Sequence, residues 1–287
     1  MKGRFRRIWP YLLFTPALVY YILFWIRPVI QAVGGSFMDP DGAFTLLNYV
    51  EVFKDPLFSE SLVNSLLFAL ISVILQFVLA LMIALILNRK FRGSKLLLFI
   101  ALIPMAIPPM ATAVLWRSAF ATHGWFNSLL HNIGLMNEPV QWLTMKGQSA
   151  VGFLVLIDTW TVLPSVMIIL LAGLQNMNKE YEEAGYVFGA TKLRAIKDIT
   201  IPILKPTIVT AVILRMISAL QIWLLSVMMF GYGRVPMLVE RIAYYSEIVA
   251  RMENSYQLSV TYSVVITVIV MVSAVVYLKI SNRERRI

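Results

Sequence analysis

Three charged side chains, Arg117, Asp158 and Arg215, lie within long apolar stretches of the 287-residue chain, where a charge is expensive enough to need a purpose. Asp158 is the only acidic residue in such a stretch, so the converging titratable groups of a membrane-embedded enzyme are missing. A lone carboxylate there would be costly or would take up a proton, whereas a paired one stays ionised. Depth points to Arg117 as the partner. It lies about 4–5 Å inside the outer end of Leu96–Phe120, and Asp158 about 12 Å below the outer end of Ala150–Leu174. Arg215 fits less well, about 22 Å from the outer face if Thr207–Phe230 is one straight helix. The alternative is that Asp158 caps a neighbouring helix or contacts water. Arg215 must still face the protein interior, since a charge facing lipid costs about 2.5–3.5 kcal/mol.

Other chemistries are poorly served. The chain has no cysteine, which excludes disulfides and thiolate sites, and only His123 and His131, which read as loop histidines rather than metal ligands. No G-x-x-x-x-G-K-[ST] occurs, so nothing here cradles nucleotide phosphates in a P-loop. Catalytic and metal sites are therefore not expected.

The elements that must position the buried charges follow from composition. With 59% hydrophobic and 14% charged residues and a mean hydropathy of +0.77, the chain reads as an all-α membrane protein. Six stretches match the roughly 20 apolar residues of a spanning helix: Ile8–Ile26, Leu62–Leu87, Leu96–Phe120, Ala150–Leu174, Thr207–Phe230 and Leu258–Ile280. The first reads as a retained anchor, because its apolar run is too long for a signal peptide. Pro104, Pro108 and Pro109 must break the third helix, freeing carbonyls that suit a water-lined path or a packing kink.

The net charge of +10 does not imply nucleic acid, because the basic residues cluster beside apolar runs. Lys2, Arg4, Arg6 and Arg7, then Arg89, Lys90, Arg92 and Lys95, then Lys279, Arg283, Arg285 and Arg286 place both termini in the cytoplasm. The acidic loop Phe37–Ser61 faces outward. By alternation, the segment between the fourth and fifth spans is cytoplasmic.

That segment is unusually charged. Met177, Tyr181, Ala184 and Phe188 repeat at helical spacing, Gly189 marks a turn, and a second helix follows with Leu193, Ile196 and Ile199 on one side. Pro202 and Pro206 are expected to stop it near the membrane. On residue pattern alone this is either an amphipathic loop resting on headgroups or a protein-docking element.

Within it, Glu183-Ala184-Gly185, three residues, Gly189, nine residues and Ile199-Thr200-Ile201-Pro202 resemble the EAA loop of ABC importer permeases. Gly185 and Ile201 depart from the usual Ala and Leu. The phrases YLLFTPALVYYILFWIRPVI, LILNRKFRG, IPMAIPPMATAVLWR and ILLAGLQNMNKEYEEAG extend the resemblance over nearly the whole chain, towards the maltose and glycerol-3-phosphate group. FGYGRVPMLVERIAYY, with Gln221 and Leu224, departs from that group's usual pattern after the fifth span.

The resemblance implies a type I permease fold, in which residues 1–287 form one domain with six spans and a cytoplasmic coupling helix in the loop 176–206. Glu183, Ala184, Gly185, Gly189, Ile199 and Pro202 would serve coupling to an ATPase. Arg117, Asp158, Trp160, Arg215, Gln221 and Trp223 are candidates for the substrate path, the tryptophans by stacking on a sugar. The implied partners are a second similar permease, two nucleotide-binding subunits that hold ATP and magnesium, and an extracytoplasmic solute-binding protein at the cell membrane. No cofactor is expected in this chain itself. A permease for a non-sugar solute is the nearer alternative. A secondary transporter is the more distant one, and the two halves of the chain lack the repeat that it commonly shows.

Overall fold

The structure is a computed structural model that describes residues 2–283, with side chains described from 12 to 281. The basic side chains of Lys2, Arg4, Arg6, Arg7 and Arg283, together with Arg285 and Arg286, lie outside that description. All regular elements among the described residues are helical, apart from one isolated bridge between Met38 and Phe44. Five helices are long and apolar enough to cross a membrane: Leu12–Ser36, Phe58–Asn88, Gly147–Gln175, Lys192–Leu220 and Ser255–Ser281. A sixth candidate, Ser94–Ala106 with Pro109–Ala119, is bent by 95°.

Three of the expected boundaries shift for physical reasons. The first helix does not end at Ile26. It passes through a π turn at Ile22–Ile26 and continues to Ser36, with Pro28 tolerated at the start of its last segment. The stretch Leu96–Phe120, expected to be broken by its prolines, is two helices, because Ile107 is extended and Pro108 and Pro109 reopen the helix in a new direction. The expected span Thr207–Phe230 is also wrong at both ends. Pro202 and Pro206 do not stop the preceding helix, which runs unbroken from Lys192 to Leu220 through a π turn at Ile196–Thr200. That turn sets Pro202 in the opening turn of the next α segment, where a missing N–H costs little. The helix instead breaks at Gln221–Trp223 and restarts as Leu224–Phe230.

The chain divides into two compact units, residues 1–58 with 241–268, and residues 59–240 with 269–287. In the first, Gly35 lets the end of the first helix lie against Tyr256 and Val260, each 3.5 Å from where a Cβ would stand. Asn48 then staples the following turn by donating to the carbonyls of Ser36 and Met38, at 3.1 and 2.9 Å.

The second unit is built around the fourth span, Gly147–Gln175, which is the most buried of the five. One half of its core gathers Phe68, Phe120, Phe153, Leu154, Leu220 and Phe230. The other gathers Ala84, Met167, Leu170, Leu174, Leu204 and Ala211. Gly173 sets how closely the fourth and fifth spans meet, since a Cβ there would fall 2.8 Å from Thr207. These contacts hold Asp158 and Arg215 at fixed positions along two facing helices.

Candidate functional site

A charge-bearing node sits inside the second unit. Arg215, on the fifth span, forms an ion pair through Nη2 with Asp158 Oδ2 on the fourth. Its Nε donates to Gln76 Oε1 and its Nη2 also reaches Ser72 Oγ at 3.3 Å, both on the second span. Gln76 completes the circuit by donating from Nε2 to Asp158 Oδ2 at 2.7 Å and to Thr159 Oγ1 at 3.4 Å. Gln76 and Ser72 are fully buried, so three spans are tied together by groups that have no water to fall back on.

The expected pairing of Asp158 with Arg117 is therefore incorrect. Arg117 lies near the end of Pro109–Ala119 and donates to the carbonyl of Met228 at 3.0 Å. The depth count failed because it measured Arg215 from Phe230, whereas the helix carrying it ends at Leu220, about one and a half turns beyond Arg215.

Beside the node lies a cavity of about 290 Å³. Asp158 and Arg215 border it, and so do Gln221 and Trp223 from the break in the fifth span. Pro109 and Thr112, just past the 95° bend, close another wall. The two helix breaks thus open onto one cavity, as irregular backbone at membrane depth requires. Among the described residues nothing donates to Asp158 Oδ1, and the Thr112 hydroxyl is buried without a partner. Both can meet a polar solute. Trp160 does not border the cavity; it packs edge to face on Trp116 with ring centres 5.4 Å apart.

The charged loop forms a second candidate site. Helix Glu180–Val187 opens with Glu180, Glu182 and Glu183 in its first turn, where carboxylates complement the helix dipole. Asn178 accepts from the Glu180 amide at 3.1 Å. Gly189 then takes a left-handed φ of +82°, and Ala190 donates back to the Gly185 carbonyl at 2.9 Å, which ends the helix sharply. Thr191 caps the next helix by accepting from Arg194. The two arms are clamped by Thr200, which donates to Glu182 Oε1 at 2.9 Å.

Gly185 has a steric reason for standing where the family usually has alanine. A Cβ there would fall 2.4 Å from Ile199 Cδ1, so Ile199 occupies the space that an alanine methyl would need. Beyond this clamp the loop leaves apolar side chains in the open: Val187 is 84%, Phe188 90% and Leu193 80% exposed. Leu193 is thus open to solvent, whereas Ile196 and Ile199 are half-buried.

A third cluster was not anticipated from sequence. In the first unit, Asp55 Oδ2 accepts from Arg241 at 2.7 and 3.1 Å and from the hydroxyls of Tyr245 and Tyr262, while Oδ1 accepts from the Leu57 amide at 3.0 Å. Burial by itself would raise the Asp55 carboxyl, but the bonds from Tyr262, Leu57 and Arg241 outweigh it and hold the group below the ordinary carboxylate range.

Comparison with known proteins accounts for the whole arrangement. Residues 56–286 match the family described as binding-protein-dependent transport system inner membrane component. The trehalose/maltose transport system permease protein MalF of Thermococcus litoralis is 32% identical, over 96% of this chain and 94% of that protein. The lactose transport system permease protein LacF of Rhizobium radiobacter is 30% identical, over 74% and 73%. The fold is shared with a bacterial ABC transporter involved in import of the acidic polysaccharide alginate, at a TM-score of 0.86 and 21% identity over 98% of both chains. By these matches the chain belongs to the binding-protein-dependent ABC importer permeases, the inner membrane components of such transport systems.

Proposed function

We infer that the whole chain acts as one permease half of an ATP-driven carbohydrate importer, with its loop 176–206 docked on a cytoplasmic ATPase. The observation that carries this reading is the pairing of a rigid clamp with an exposed apolar ridge. Glu182–Thr200 and Gly185–Ile199 fix the loop internally, while Val187, Phe188 and Leu193 face outward, as a surface transmitting force to a protein partner requires. Glu183, Ala184, Gly189 and Pro202 belong to the same coupling element. Two nucleotide-binding subunits would supply ATP and magnesium, a second permease the other half of the path, and an extracytoplasmic binding protein the cargo.

The substrate reading rests on the cavity. Asp158 Oδ1 and Thr112 Oγ1 offer hydrogen-bonding groups to sugar hydroxyls, Gln221 an amide, and Trp223 an aromatic face. Named relatives carry trehalose, maltose and lactose, which favours a neutral oligosaccharide. Arg215 borders the cavity beside Asp158, whereas Arg117 and Trp160 are engaged with Met228 and Trp116 and do not line it.

The test is copurification of the ATPase subunits with this chain. Phe188→Ser with Leu193→Ser should release them while the chain still inserts, and retention at the unsubstituted level with normal uptake would overturn the assignment. Orientation has its own check in this cysteine-free chain: a membrane-impermeant thiol reagent on intact cells should label Ser59→Cys but not Lys192→Cys.

A further inference from the structure

The turn joining the second span to the bent third one carries Arg89, Lys90, Arg92 and Lys95, with no acidic residue from Asn88 to Leu102. None of the four is in a salt bridge among the described residues. Four cations left together at the end of a spanning helix repel one another, so an arrangement that concentrates them needs an anion. The backbone draws two of them to one place. Lys90 adopts φ 49°, the left-handed region that residues with side chains seldom enter, and Gly93 follows at 94°. The chain folds back over these two residues, and Lys90 and Lys95 come to border the same cavity, of about 520 Å³.

The lining of that cavity is of two chemical kinds. Lys90, Ser94, Lys95 and Gln175 supply donors, while Leu98 and the buried Leu87 and Leu171 supply apolar surface. Within about one turn after Lys95, Leu96, Phe99 and Ile100 are exposed side chains of an apolar helix, so hydrocarbon begins immediately beside the cations. A free inorganic anion would use only the first kind. A protein surface would have no need of the apolar depth at membrane level.

We propose that this cavity is a binding site for an anionic phospholipid, with the headgroup phosphate between Lys90 and Lys95 and an acyl chain running over Leu98 and Phe99. The site is separate from the sugar cavity and from the loop 176–206, and it depends only on the chain's being embedded in a membrane. Its occupant neutralises the turn and holds it against the fourth span, whose Leu171 and Gln175 form the opposite wall.

Phe91 borders the cavity, so F91W places a local fluorophore there. The full-length chain, in the complex with which it purifies, is reconstituted in phosphatidylcholine vesicles in which a small fraction of lipid is brominated, as either phosphatidylglycerol or phosphatidylcholine. The emission added by F91W should be quenched about tenfold more effectively by the brominated phosphatidylglycerol. Adding K90Q and K95Q should bring that preference to about unity, and R89Q, outside the cavity, should leave it within about twofold. Equal quenching by both lipids would overturn the proposal. So would an R89Q effect as large as that of K90Q with K95Q, which would indicate diffuse attraction only. Loss of quenching in excess inorganic phosphate would reassign the cavity to a free anion, which contradicts a lipid site.

Discussion

Asp55 and Asp158 are both buried carboxylates paired with an arginine, yet one has both oxygens engaged and lies away from the cavity at the helix breaks, while the other has one oxygen engaged and borders that cavity. Asp55 uses both oxygens, accepting from Arg241, two tyrosines and a backbone amide. Arg241 is itself covered by the rings of Tyr244 and Tyr245, with its guanidinium carbon 4.4 and 5.2 Å from their centres. Nothing is left over to meet a ligand. Asp158 is held through one oxygen only, by Arg215 and Gln76, and it borders a cavity. The difference teaches that two arginine-paired carboxylates need not be equally able to meet a ligand: only the one with an oxygen left over beside an open volume has the means.

The comparison is broken most severely at Asp158. Asp158→Ala leaves Arg215 unpaired in the membrane interior and should cost about 3–5 kcal/mol, read as thermal unfolding in detergent. Arg215→Gln combined with Asp158→Asn should cost much less than the sum of the two singles, and additive costs would show that the pair is not coupled. Asp55→Asn should cost about 3 kcal/mol, because charged hydrogen bonds are lost together. It should leave the half-saturating sugar concentration unchanged, as befits a latch that lines no cavity.

Acid titration sharpens the same contrast. The folded Asp55 carboxyl ionises at lower pH than an unfolded one, so its stabilisation is complete above the ordinary range, about 4, and is lost as pH falls through the lowered folded value. In the wild type, stability should therefore decline in that acid window, and Asp55→Asn should flatten the decline. Gln76→Leu is a smaller disturbance, about 2 kcal/mol, since Arg215 Nε loses its acceptor while the ion pair remains. Smallest is Tyr245→Phe, about 1 kcal/mol, which removes one of several bonds to Asp55.

Much of this molecule is legible in the sequence, and the failures share a cause. Apolar length pointed to each of the long helices among the described residues, with their ends misplaced, and the three prolines at 104, 108 and 109 located the bend. The spacing of Glu183, Gly189 and Pro202 located the loop, and Gly189 takes the left-handed backbone that its position demanded. Helix ends were the weak point. Nothing in QIW at 221–223 announces a break as a proline would, so Arg215 was measured from the wrong end and its partner was missed. Pro202 looked like a stop signal because a π turn, which depends on tertiary contacts, is invisible to local pattern. Gln76 gave a usable signal, an amide near the middle of the second span, since an amide at that depth needs a partner. The Asp55 latch joins residues nearly two hundred positions apart, which no local pattern reports.

The central claim is that ATP hydrolysis elsewhere moves this chain through its loop. The most direct measurement is uptake of the labelled carbohydrate held by the cognate binding protein into proteoliposomes holding the permease pair and its ATPase subunits, with that binding protein outside. The account predicts uptake that requires ATP enclosed within the vesicle, and that is lost with Phe188→Ser and Leu193→Ser although the chain remains inserted. Uptake of equal size driven by an ion gradient, without ATP or in that double variant, would contradict it.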